Sequence, residues 1–190
     1  MNIVKILVGV FTAMNTTIIA FAATTTNELD AWSVATNGLQ ARLILVERSK
    51  ENGTRWLVPY LELRNVRDLA NQVEVQCDRH HLMIELVDAD GKVIREGWLY
   101  ARSGPTAELS TISLPLDSSI RISLECRNWG VPRDAAAMVS TDSGAWVIQQ
   151  SENGKVFLRA TLTGDKPTAP PYWMTWYGTI QTPLLKIDWK

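Results

Sequence analysis

Residues 77–83 read CDRHHLM and place a thiol, two imidazoles and a thioether within seven positions. Cys77, His80 and Met83 stand at C-x2-H-x2-M spacing. A mononuclear copper centre of the soft-ligand type needs one cysteine and two histidines in a trigonal set, with a weak axial methionine. The segment supplies Cys77, one imidazole and Met83, so a second imidazole must come from elsewhere. The chain has only two histidines, His80 and His81, and they are adjacent. Neighbours on an extended chain point in opposite directions, which keeps both from reaching one metal. No metal or other cofactor is therefore expected, and Cys77, His80 and Met83 are the fallback ligands. A zinc site using Cys77, Cys126 and a histidine has no recognisable spacing.

The competing chemistry for Cys77 is a disulfide with Cys126, the other of the two cysteines. Cys126 shares strand parity with Ile120, Ile122 and Leu124, and Cys77 with Val73 and Val75. Both sulfurs are expected to face a core. A third constellation is PPYWMTWYG, residues 170–178, with Tyr172, Trp173, Trp176 and Tyr177 in six positions. Exposed rings of this kind stack on sugars or anchor a protein partner. Folded inward, they cap one end of a domain, because aromatic side chains bury large areas. Capping is the expectation for Trp173 and Trp176, with Trp129 at the same end or in the core. Asp88–Gly91 (DADG) begins like a calcium loop, but Leu99 stands where the loop needs glutamate, so a hairpin turn is expected. Asn52-Gly53-Thr54 is formally a glycosylation acceptor. No nucleophile elbow, zinc-protease helix motif or phosphate-binding glycine loop is present, and no enzymatic activity is expected.

The elements that must position these groups are strands. Leu39, Ala41, Leu43 and Leu45 alternate with polar residues. So do Ile120, Ile122, Leu124 and Cys126, and again Val156, Leu158, Ala160 and Leu162. Period-two alternation is the mark of a half-buried strand. Further strands are predicted at 55–64, 72–77, 82–87, 93–99, 108–114, 145–150 and 178–187. Pro183 marks the last as an edge strand or a bulge. ENGT, DADGK and ENGK carry the Asn-Gly or Asp-Gly pairs that close tight hairpins. Only PRDAAAMV, residues 132–139, suggests a helical turn or two. The expected fold is an all-β antiparallel sandwich of about 8 to 10 strands.

The N-terminus predicts the compartment. An apolar run from Ile6 to Met14 is followed by IIAFAA, with Ala20 and Ala22 in the small-x-small pattern of a cleavage site. Residues 1–22 are read as a cleaved signal peptide, 23–36 as an N-terminal extension and 37–190 as one domain. Removing 22 of the 190 residues leaves 168. Lys5 is the only charge lost, so the formal charge moves from −1 to −2. A pI near 6.1 without a basic block gives no footprint for nucleic acid. After Ala22 no apolar stretch is long enough to span a bilayer. Export to the periplasm, cell surface or medium is the expectation, and an exported compartment permits a disulfide.

The segments NGLQARLILVE, LPLDSSIRISLECRNWGVPRDA, FLRATLT and WYGTIQTPLLKI resemble those of uncharacterised secreted bacterial proteins with an immunoglobulin-like sandwich, over roughly residues 37–187. The resemblance implies a fold and a location, and no activity. LDSSIRISL also resembles, more distantly, bacterial proteinase-inhibitor-type sandwich domains. The function expected is that of a non-enzymatic interaction or structural module with a protein or glycan partner. The alternatives are a carbohydrate-binding module using Tyr172, Trp173, Trp176 and Tyr177, and a metal-binding protein using Cys77 with His80 or His81.

Overall fold

The structure is a computed structural model, and it describes residues 31–51, 53–67, 72–77, 80–95, 111–125, 135–141, 144–168 and 174–189. These residues form strands β1 (Leu39–Glu51), β2 (Thr54–Asn65), β3 (Gln72–Val75), β4 (Leu82–Val87), β5 (Val93–Arg95), β6 (Ile112–Pro115), β7 (Ser119–Ser123), β8 (Ala137–Thr141), β9 (Gly144–Ile148), β10 (Phe157–Gly164), β11 (Gly178–Gln181) and β12 (Leu185–Lys186). A first sheet runs β1-β2-β8-β9, with β7 also on β2. A second runs β11-β10-β4-β5, with β12 also on β10, and β3 pairs with β6. The pairing is antiparallel except between β2 and β8. The fold is all-β, as the alternation implies. No helix among the described residues is long and apolar enough to cross a membrane.

Twelve strands exceed the expected eight to ten because two lanes are each shared by two short strands. One edge of β2 carries β7 opposite residues 60–64 and β8 opposite residues 55–57. Pro59 lies at this changeover. Its C=O accepts from Leu124 at 3.0 Å, and its missing N–H falls where one partner has ended and the next has not begun. That is how a proline sits inside a central strand without breaking a ladder bond. Pro183 plays the same part between β11 and β12, on the edge lane of β10, as its sequence position implied. There the ladder is patched by a side chain. Thr182 N–H donates to Ala160 O at 2.9 Å, and Ala160 N–H donates to the Thr182 hydroxyl at 3.0 Å. Thr182 is buried. Thr182→Val keeps the shape and removes that acceptor, so it is expected to cost about 1–3 kcal/mol in urea unfolding. Thr182→Ser is expected to retain most of the stability, and Ala160 amide exchange should quicken only in the valine variant.

The predicted inner faces of β1 and β10 hold. Leu39, Ala41 and Leu43, with Leu57, Leu61 and Leu63, join Leu82, Ile84, Leu86, Leu158, Ala160 and Leu162 in one core shared by both sheets. Val73, Val75 and Cys77 belong to the same core. Ile120 departs from its face-mates Ile122 and Leu124 and is exposed, because it lies on β7 at the rim of the sheet.

Two expectations need correction. PRDAAAMV does not yield helix in its described part: Ala137–Thr141 is strand β8, and residues 132–134 lie outside the described residues. ENGK closes no hairpin. Residues Gln150–Glu152 form a 3-10 turn, Gln149 N–H donates to the Glu152 carboxylate at 2.7 Å, and the turn carries the chain from the first sheet to the second. Asn153 is held on both sides by the Trp189 backbone, which fixes this crossing. The end of the N-terminal extension bonds to β1: Ser33 N–H donates to Ala41 O, and Thr36 and Leu39 exchange backbone hydrogen bonds. DADGK does form the expected hairpin: the Asp88 carboxylate accepts from Asp90 and Lys92 N–H groups between β4 and β5.

Candidate binding surfaces

The aromatic segment enters the fold through a backbone clamp. Glu74 N–H donates to Met174 O at 2.6 Å, and Trp176 N–H donates to Glu74 O at 2.8 Å, so 174–176 runs parallel to β3. This turns Trp176 inward, where it is 1% exposed. Its indole N–H donates to Thr36 O at 2.8 Å. Its ring lies against Gly164, where a Cβ would come within 2.7 Å of it, so only glycine fits there. The Thr36 carbonyl is presented by a tight turn in which Asn37 and Gly38 have φ of 48° and 77°, the left-handed pair of a type I′ hairpin. Asn37 in turn donates to Tyr177 O at 2.8 Å, and Arg67 donates to Asn37 O at 2.8 Å. Tyr177 is left exposed at this corner. Of the four candidate aromatics, Trp176 is therefore structural and Tyr177 faces outward. Tyr172 and Trp173 lie outside the described residues, as does Trp129.

A second constellation escaped the sequence reading. Trp32 packs against two guanidinium groups, those of Arg42 and Arg64, each 4.6 Å from a ring centroid. The cross-strand register places Arg42 opposite Glu62 and Gln40 opposite Arg64 on the outer face of the first sheet. Arg42 donates to Glu62 at 2.6 Å, Arg121 of β7 lies 3.7 Å from the same carboxylate, and Arg64 donates to Gln40. Cation–π stacking thus pins the N-terminal segment across β1 and β2. The sequence signal was the pair of arginines at outward positions of two alternating strands.

The CDRHHLM groups diverge. Cys77 is buried in the core, whereas Met83 is 51% exposed on the outer side of β4, so the two sulfurs do not face one site. His80 is exposed, and His81 Nε2 lies 3.7 Å from Asp165. Cys126 lies outside the described residues. Among the described residues, no three His, Cys, Asp or Glu side chains gather as a metal site.

No family model matches this chain. No curated protein or solved structure is significantly similar to it either. The functional reading therefore rests on the chain's own residues.

Proposed function

We propose that the chain is a non-enzymatic, exported β-sandwich of immunoglobulin-like type, acting as an interaction or structural module of the cell envelope or extracellular space. The observation that carries this reading is the use of four carboxylates on the two sheets. Glu62 is held by Arg42, Glu85 by Arg159 at 2.8 Å, Glu47 by Arg55 at 2.5 Å and Glu125 by Arg48. Each acid is matched to an arginine from another segment of sheet, which serves cross-strand cohesion. A proton-transfer catalyst instead keeps its acid open to a substrate. The shared core of two sheets supports the sandwich arrangement, and the run Ile6–Met14 with Ala20 and Ala22 supports export.

The same reading joins Cys77 to Cys126. Intact-mass measurement of protein recovered from the exported fraction tests both points together. The expected mass is that of a chain beginning at Ala23, two hydrogens below the fully reduced value. A chain beginning at Met1 with two alkylatable thiols would overturn it. The exposed Tyr177 beside Asn37 keeps the glycan alternative specific. Retention on a polysaccharide that is lost in Tyr177→Ala, with stability unchanged, would establish that alternative over a protein partner.

A further inference from the structure

Arg42, Arg48, Arg55 and Arg159 each hold a carboxylate, and Arg64 does not. Its Nε and Nη2 groups both donate to the neutral amide oxygen of Gln40, at 3.2 and 2.6 Å, and its guanidinium packs on Trp32. These contacts fix the guanidinium and leave its charge uncompensated. We propose that this charge, together with that of Arg121, receives a carboxylate of an acidic polysaccharide on the outer face of the first sheet. Ser119 stands opposite Arg64, and Arg121 opposite Glu62, so the four side chains share that face. Arg121 has a 51% exposed side chain and lies 3.7 Å from Glu62, beyond good hydrogen-bond length. Glu62 already accepts from Arg42 at 2.6 Å. Three guanidinium groups thus surround one carboxylate, in a chain whose formal charge is −1. Among the described residues, Arg64 and Arg121 reach no other acid.

Arg64 and Arg121 are diagonal neighbours across β2 and β7, a spacing of about 7–8 Å that long side chains bridge. An anion over this triangle meets a guanidinium on two sides and the Ser119 hydroxyl on the third. Guanidinium forks take a carboxylate through two parallel hydrogen bonds. Arg64 is held in advance by Gln40 and Trp32, so binding freezes less side-chain freedom there. The rest of the face selects a sugar polymer over a peptide. The outward residues of β7 are Ser119, Arg121 and Ser123, all exposed and none apolar. A peptide partner is anchored by apolar or aromatic groups set into pockets, or by pairing with a sheet edge. This surface is the flat outer face of a sheet, and the hydroxyls of Ser119 and Ser123, with Tyr60 opposite Ser123, suit the hydroxyls of a sugar ring. The inference rests on the chain being an interaction module and names the chemistry of its partner.

Calorimetric titration of the full chain with oligogalacturonate, at about 20 mM and about 500 mM salt, tests the proposal, since salt screens exposed charges. The expected result is binding at low salt that weakens by about tenfold or more at high salt. Arg64→Gln and Arg121→Gln are each expected to weaken it by about tenfold, and Arg64→Lys, which keeps the charge and loses the fork, by less. Arg121 is exposed, so its variant stays folded and carries the test even if Arg64→Gln loosens Trp32. Tyr177→Ala is expected to bind as wild type does. No binding of oligogalacturonate to the wild type, or binding unchanged in Arg121→Gln, would overturn the proposal. So would polyglutamate or neutral dextran binding as tightly, the first because a peptide then serves, the second because charge then plays no part. Loss of binding in Tyr177→Ala alone would place the glycan at that corner and overturn this site. The mass measurement of the exported, bridged chain is independent of all these outcomes, so the two readings fail separately.

Discussion

Trp176→Ala is expected to destabilise the fold by about 3–5 kcal/mol, the range for truncating a buried large aromatic. The indole is 1% exposed and rests on Gly164. No neighbouring side chain stands ready to refill the space over a glycine. The lost hydrogen bond is the smaller part, because Thr36 O keeps a second donor in Leu39 N–H at 3.1 Å. Trp176→Phe is therefore expected to cost much less than alanine. Gly164→Ala is expected to be costly by itself, since its methyl group has to displace the ring. Equilibrium unfolding in urea, followed by far-UV circular dichroism, ranks the three variants. An alanine variant within about 1 kcal/mol of wild type would show that Trp176 does not cap this end, contrary to the cost of core truncation.

What the sequence made legible follows from which strands have one wet face. The residues 39–45 and 156–162 alternate cleanly because one side of each strand meets the core and the other does not, and their inner residues are where the alternation places them. β8 was missed for the opposite reason. Residues Ala137–Thr141 are buried on both faces, so no period-two signal exists, and a run of small residues after a proline reads as readily as a helical turn. The crossing at Asn153–Gly154 was misread because Asn-Gly reports only that a left-handed turn is allowed. It does not report whether the next strand returns to the same sheet. Trp32 was invisible because its partners, Arg42 and Arg64, meet only through the β1–β2 register. Trp176 was legible as a member of an aromatic cluster, and inward packing was expected on energetic grounds. Its orientation is set by Glu74, about a hundred residues earlier, which no local pattern reveals.

Asn65→Ala is expected to cost about 2–4 kcal/mol, because one fully buried amide holds two backbone groups, and the Leu114 carbonyl among them is buried with it. Asn65 Nδ2 donates to Leu114 O at 3.0 Å, and Asn65 Oδ1 accepts from Arg67 N–H at 3.0 Å. Its own backbone is bonded to the β6–β7 turn, donating to Ser118 O at 3.1 Å and accepting from Asp117 N–H at 3.2 Å. One residue thus ties the end of β2 to the turn that starts β7, and β7 is the strand that leads to Cys126. Asn65→Asp separates hydrogen bonding from volume. The carboxylate still accepts from Arg67 N–H, but it turns an oxygen lone pair toward the Leu114 carbonyl. If lost packing dominated, aspartate would be nearly neutral; if the amide's donor role dominates, as this geometry requires, aspartate is at least as damaging as alanine. Urea unfolding of both variants decides between these outcomes.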